Sequence, residues 1–593
     1  MQITTIDWLV IAAYFLFNLL LGLYFRKRAT ASVSDFFVSG RNASWWLAGT
    51  SMVATTFAAD TPLAVTGLVA RNGIAGNWIW WSMLFSGMLT VFFYARLWRR
   101  AGVLTDVEFA EIRYHGGPAK FLRGFRALYL GLPVNLIIMG WVNLAIVKIM
   151  MAVLGVNKVE ALVIAFGIMF ITASISTLSG LWGVLWTDMF QFILKMGMVI
   201  LLAVYAVNAA GGLDSLKTSL IQIDQHREAT GSILSFLPDL HSTWMPMITF
   251  FIYIAVNWWA SWYPGAEPGG GGYVAQRIFS AKDEKNSLLA TLWFNIAHYA
   301  IRPWPWILVA LVAVVRYQND PAFAADPESG YVRILISDLP AYMRGFMLAA
   351  FAAAYMSTIG TQLNWGASYL VNDLYQRFMV KGKSDKHYVM IAQVATMVLM
   401  VLSVAVTYSM DSIANAWKFL IALGAGTGLV FILRWFWWRI NAWSEVSAMA
   451  AAFVVSTSVQ YFLHLDEGNP QEFAYIVLIT VVCTSAVWLT VTFLTKPEPE
   501  EKLLSFYRRV RPNPRFWKPI AALAPDIIPE KDGIFNLVDW LCGVMMIYSF
   551  LFGMGQIILG STPLGLGLLA LGIILGGIIY VDLNKRGWKT LAG

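Results

Sequence analysis

Inside a long apolar stretch, Ala354, Ser357 and Thr358 fall at i, i+3 and i+4, on one face of a helix. Two hydroxyls beside a backbone carbonyl make an oxygen-rich face, which suits a small hard cation away from bulk water. The plainer use of such hydroxyls is to bond the carbonyl four residues back or to ease close helix packing. A second source of oxygens is Ala59-Asp60-Thr61-Pro62, where Pro62 removes an amide and frees carbonyls about one turn earlier. Charges also stand inside apolar runs. Asp188 has Lys195 seven residues along the same face, His298 and Arg302 lie at i, i+4, and Lys418 sits in a later run. A mid-span charge costs about 2.5 to 3.5 kcal/mol on the insertion scale, so each implies a partner or a function. Arg302 suits a carboxylate and tryptophans suit an apolar ring face. Glu267 suits hydroxyls or a cation, or locks Arg302 in an internal salt bridge. His298 is the side chain that would make such a site pH-sensitive.

These residues need a membrane scaffold, and the composition supplies one. Of 593 residues, 58% are hydrophobic and 13% charged, against about 25% charged in soluble domains, and the mean hydropathy is +0.63. Apolar stretches long enough to cross the bilayer recur near 6–26, 44–70, 77–98, 123–153, 159–178, 184–209, 243–279 (interrupted), 286–315, 341–378, 387–409, 414–436, 444–464, 472–495, 535–558 and 563–582. The spacing predicts an all-α polytopic protein of about fifteen transmembrane helices, with the polar runs near 211–243, 317–339 and 496–533 as loops.

The net charge of +8 resides in Lys/Arg clusters between alternate spans, at 26–28, 96–100 with 120–126, 276–282, 381–386 and 507–518. That pattern encodes topology rather than nucleic-acid binding. It places the N-terminus outside and the C-terminus in the cytoplasm of a multi-pass cell (inner) membrane protein. The first apolar stretch is too long for a signal-peptide core and is followed by Arg-Lys-Arg, so it is expected to remain as a span. Cys483 and Cys542 both lie in spans, which excludes a disulfide framework or a Cys-rich metal site. The six histidines are scattered, with no HExxH or GxSxG arrangement, which argues against an enzyme.

One segment breaks the helical pattern: residues 257–277, NWWASWYPGAEPGGGGYVAQR, put two prolines and four consecutive glycines between apolar flanks. Spans interrupted in this way line binding sites near the bilayer midplane.

Four segments resemble the sodium:solute symporter family. They are DFFVSGRNASWWLAGTSMVATTFAAD from Asp35, SGLWGVLWTDMFQ from Ser179, YVAQRIFSAKDEKNS from Tyr273, and LAAFAAAYMSTIGTQLNWGASYLVNDLY from Leu348. The resemblance implies a five-plus-five inverted-repeat core, with one extra N-terminal helix (1–43, with its loop) and about four C-terminal ones. On that plan 44–210 holds core helices one to five, 211–242 is an extracellular loop, and 243–440 holds core helices six to ten. Residues 441–593 hold the C-terminal helices and a cytoplasmic loop at 496–533. The interrupted 243–279 segment becomes core helix six, the repeat-mate of core helix one (44–70).

The same resemblance implies a sodium site at the carbonyls of Ala58, Thr61 and Ala354 with the hydroxyls of Ser357 and Thr358. A second sodium at Asp188 and Thr361 is also implied, although Gly360 replaces one hydroxyl of that pattern. Asn257 keeps an amide where sugar-transporting members hold their substrate, while Asp60, Trp80 and His298 replace other groups of that pattern. Val65 and Ile421 stand at its polar positions, and Ala260 at its gate tyrosine, next to Trp258 and Trp259. The expected substrate set is therefore Asp60, Trp80, Asn257, Trp258, Trp259, Glu267, His298 and Arg302. The implied function is sodium-coupled import of a small polar solute, such as a sugar or sugar acid, by alternating access, with Na+ the coupling ion and no organic cofactor. A symporter for an amino acid, proline or a carboxylate is the neighbouring alternative, and a transporter-like membrane sensor the alternative of another class.

Overall fold

The computed structural model describes residues 4–29, 32–225, 231–260, 271–466, 469–527 and 532–586. Among them twelve helices are individually long and apolar enough to span a membrane, and the pair Trp45–Thr56 and Asp60–Asn72, bent by 56°, makes a thirteenth. The two remaining expected spans are present as halves. Core helix six consists of Met247–Ala260 and Gly272–Ser280, and core helix ten of Ile413–Gly424 and Gly428–Phe436. The polar runs expected to be loops carry short helices, among them Leu213–Asp224, Gly330–Asp338 and Glu500–Val510. Their apolar residues explain this: Phe506, for instance, is buried against Phe109 and Trp517.

Core helix eight, Tyr342–Met379, is the central post. Its apolar window is 94% buried, whereas that of the N-terminal helix is 17% buried and faces outward. The N-terminal helix, Thr5–Ala29, is clamped to the core by polar bonds. Asp7 accepts from the amide of Gly345 at 2.7 Å, and Gln191 donates to Tyr14 and Asn18. Gly345 is needed for that approach, because a Cβ there would lie 2.5 Å from the Asp7 Cα.

The two broken helices meet. The amide of Gly426, at φ +90° in the gap of core helix ten, donates to the Ala260 carbonyl at 3.0 Å, and a Cβ on Gly428 would collide with the Trp259 carbonyl. Glycines there admit backbone against backbone. Gly272, at φ +59°, opens the second half of core helix six with its amide turned toward Asp106.

The Arg-rich face is tied by buried ion pairs. Glu445 accepts from Tyr114 and lies 3.3 Å from both Arg126 and Arg434, all four buried. Glu111 serves Arg123 and Arg377; burial pushes its carboxyl up, but hydrogen bonds from Arg377 and Arg123 win and hold it below the usual carboxylate range. Glu445→Gln leaves two guanidiniums under-compensated, and breaking a buried pair costs about 3 to 5 kcal/mol. We expect a lower thermal midpoint in detergent for this variant. An unchanged midpoint would show that Asp106, 3.8 Å from Arg126, carries the compensation instead.

Candidate solute and ion site

The break of core helix one follows from local bonding. Phe57 leaves helical geometry (φ −94°, ψ 70°), and the amide of Thr61 turns to the Ala58 carbonyl at 3.4 Å instead of reaching four residues back to Phe57. Pro62 has no amide for Ala58. The chain therefore breaks at 57–59, slightly earlier than Pro62 alone suggests, and Pro62 itself is tolerated in the first turn of the second half.

Beside this break lies a cavity of about 90 Å³. At about 30 Å³ per water it holds roughly three waters, well short of the ~300 Å³ of the smaller drug-sized pockets. Helices one, two, three, six, seven, eight and ten all contribute walls. Of the expected residues, Ala58, Asp60, Thr61, Trp80, His298, Arg302 and Thr358 line it together.

Ala354 lies one turn behind, its carbonyl accepting from Thr358 at 3.2 Å. Ser357 faces elsewhere, into a small space beside Asp188 and Gly360. The hydroxyl protons of both helix-eight residues are directed away: Thr358 donates to the Thr55 carbonyl at 2.7 Å and Ser357 to Asp188 at 2.5 Å. Their lone pairs remain for a cation.

The second cation pair is already bridged. Asp188 accepts from Ser51 and Ser357, and Arg277 lies 3.7 Å from it while donating to Thr361 at 2.7 Å. The guanidinium of the Gln-Arg motif thus stands between the two side chains expected to hold a second sodium. Gln276 beside it donates to the Phe37 carbonyl and to Asn364, pinning the second half of core helix six. Lys195 does not pair with Asp188. Its ammonium donates to the carbonyls of Ala54 at 2.8 Å and Phe57 at 3.1 Å.

Arg302 reaches core helix one. It donates to the Val53 carbonyl, to Thr56 at 3.0 Å and to His298, with its guanidinium 5.1 Å from the Trp306 ring centre. It contributes positive charge to the cavity while these donors are engaged. His298 bonds Thr56 at 3.1 Å, and Trp80 stacks on Tyr299 and meets His298 edge-on.

Three expected substrate residues do not reach the cavity. Trp258 stacks on Phe85 and tilts against Trp540, and both Trp258 and Trp259 donate to carbonyls four residues back. Asn257 is buried in the π-wound turn Tyr253–Asn257 that precedes them. That wider turn rotates Trp258 toward the helix Gly533–Leu559 rather than inward. Glu267 lies outside the described residues. Lys418 is half-buried and does not line the cavity.

Two residues absent from the expected set complete the wall: Gln362 and Trp417. Gln362 Oε1 is buried without a hydrogen-bond partner among the described residues, while Asp60 Oδ1 and Trp417 Nε1 make only a weak contact with each other and no bond of regular geometry. Gln362 was visible by spacing, four residues after Thr358 on the same face. Trp417 carried no comparable signal.

The sodium/glucose cotransporter of Vibrio parahaemolyticus is 23% identical over 501 residues, covering 80% of this chain and 89% of that one. The high-affinity proline transporter PutP of Bacillus subtilis (strain 168) is 22% identical over 448 residues, covering 73% and 87%. A solved structure of a Na+-coupled sialic acid symporter, in a substrate-bound outward-open state, superposes with a TM-score of 0.66 at 21% identity, over 84% of this chain and 99% of that one; this shows a shared fold. The sequence profile of the sodium:solute symporter family matches residues 36–454, from the loop before core helix one into the helix after core helix ten, and the chain belongs to that family.

Proposed function

We propose that the protein is a sodium-coupled symporter importing a small polar organic solute, a sugar, sugar acid or related compound, by alternating access about the break of core helix one. The observation that carries this reading is a group of under-satisfied polar atoms on one cavity: Gln362 Oε1 without a partner among the described residues, and Asp60 Oδ1 and Trp417 Nε1 with only a weak contact to each other. Asp60 Oδ1 and Gln362 Oε1 accept, and Trp417 Nε1 donates. A polyhydroxylated solute offers hydroxyls to both kinds of partner, and buried polar atoms left unpaired are costly. Arg302, which donates to His298, tunes the field at the solute. A zwitterionic amino acid is the second reading, favoured by the small cavity and by carboxylate and guanidinium on its walls.

The ion reading places one sodium on Ala58, Thr61, Ala354, Ser357 and Thr358. The backbone loosened at the break and the Thr358 hydroxyl, whose proton goes to the Thr55 carbonyl, support it; Ser357 faces Asp188 and would have to turn to join the set. Arg277, between Asp188 and Thr361, argues against a second ion. The Arg-rich loops support a cytoplasmic C-terminus in the cell membrane.

A thermal-shift screen of purified protein in sodium and in potassium, against sugars, sugar acids, polyols and amino acids, tests ion and solute class together. Stabilisation by a polyhydroxylated solute in sodium alone is the expected result; stabilisation by amino acids alone would move the assignment to the second reading. In proteoliposomes, Thr358→Ala is expected to raise the half-saturating sodium concentration about tenfold, equivalent to ~1.4 kcal/mol. Unchanged sodium dependence removes Thr358 from the site.

A further inference from the structure

We propose that Lys195 is a tethered cation that competes with sodium for the break of core helix one and so sets the sodium affinity; this deepens the sodium reading above and rests on it. The break releases two carbonyls on one side of the backbone. Phe57 loses its regular partner where the helix opens, Ala54 keeps only a 3.2 Å bond from the Phe57 amide, and both carbonyls take the Lys195 ammonium, at 3.1 and 2.8 Å respectively. The ammonium also lies 5.1 Å from the Phe57 ring centre, and the residue is 1% exposed. An ammonium and a sodium ion offer the same thing to such oxygens: one positive charge at short range.

The two cations would be close neighbours. Ala58, whose carbonyl belongs to the sodium set, follows Phe57 directly. Thr358, another member of that set, donates to the carbonyl of Thr55, the residue after Ala54. Ammonium and sodium are therefore held within one turn of the same backbone, in a buried site where like charges repel more strongly than in bulk water. Arg302 and Arg277 add positive charge on either side, against the carboxylates of Asp60 and Asp188. Sodium must enter against this field. Asp188, two turns back on the same helix, gives the flexible lysine stem an alternative partner when sodium takes the break.

If Lys195 served only to cap the broken helix, removing its charge would loosen the fold and leave sodium affinity unchanged or weaker. A tethered competitor predicts the opposite sign. Equilibrium binding of radiolabelled sodium to the purified full chain, at constant ionic strength with choline replacing sodium, separates the two without knowledge of the solute. The half-saturating sodium concentration of Lys195→Met is expected to be at least tenfold lower than that of the unmodified protein. Lys195→Arg, which keeps the charge, is expected to show no such gain. If Lys195→Met is not monodisperse, the same tenfold criterion is read on Lys195→Gln.

Equal or weaker sodium binding by the neutral variants, with clear binding by the unmodified protein, overturns the proposal and leaves the sodium reading standing. An equal gain in Lys195→Arg also overturns it, since charge would then not be the cause. Absence of sodium binding in every protein overturns both. Binding only after neutralisation of Lys195 supports the proposal in its strongest form.

Discussion

Asp188→Asn is expected to cost at least roughly a hundredfold in solute uptake, equivalent to about 2.7 kcal/mol, and to lower the thermal midpoint. Asp188 is fully buried, holds the hydroxyls of Ser51 and Ser357, and stands 3.7 Å from Arg277. Asparagine keeps the shape but removes the charge that balances a guanidinium and a nearby ammonium. Removing one partner of a buried pair costs about 3 to 5 kcal/mol, because the other charge stays behind. The double variant Asp188→Asn/Arg277→Gln is therefore expected to recover more than half of the lost thermal stability. Uptake should stay low, since Ser357 is then no longer fixed by a carboxylate. If the two substitutions were simply additive in stability, Asp188 and Arg277 would not be acting as a pair.

The second large effect is expected at Asp60. Its Oδ1 makes only a weak contact, with Trp417, although the side chain is 3% exposed on the cavity wall. Such a group contributes little to holding the fold and much to binding a donor that arrives from outside. A hydrogen bond to a charged group contributes about 1.5 to 3 kcal/mol, so Asp60→Asn is expected to raise the half-saturating solute concentration roughly ten- to a hundredfold. The thermal midpoint of the empty protein should change little, since the amide keeps the shape of the carboxyl and its weak contact with Trp417. A fallen midpoint with unchanged solute affinity would make Asp60 a structural residue and remove it from the site.

These outcomes depend on features that were unequally visible in the sequence. Spans were legible because each must satisfy its own backbone in hydrocarbon, which leaves an apolar run of fixed minimum length. The halves of core helix ten escaped notice as a break although Gly424, Gly426 and Gly428 mark the gap at 425–427, because no proline or polar run accompanies them and the flanking apolar segments read as one span. The facing of Ser357 and Thr358 was half legible. Helical spacing places them on neighbouring positions, but only packing decides that one faces Asp188 and the other the cavity.

Trp258 and Trp259 misled because proximity to an expected gate says nothing about rotation. The π-turn before them sends the Trp258 ring to the outer helix, and Trp259 does not line the cavity either. Lys195 misled for a different reason. Seven-residue spacing puts it on the same face as Asp188, yet a long flexible stem chooses among all acceptors in reach, and the two freed carbonyls on another helix were invisible in sequence. Trp417 is found only when the cavity assembles from seven helices, whereas Gln362 could be read from its place four residues after Thr358.

The guanidinium lodged between Asp188 and Thr361 bears on how steep a gradient the protein can build. A cycle that moves one sodium with each uncharged solute draws on one elementary charge crossing the membrane, about 2.3 kcal/mol at 100 mV. A tenfold sodium gradient adds about 1.4 kcal/mol. Together they cap accumulation near 500-fold, and a second ion would square that ceiling. On the one-sodium reading proposed above, an arginine side chain fixed in place would set the energetic exchange rate: thrift in sodium spent per molecule, in return for a lower maximum concentration inside.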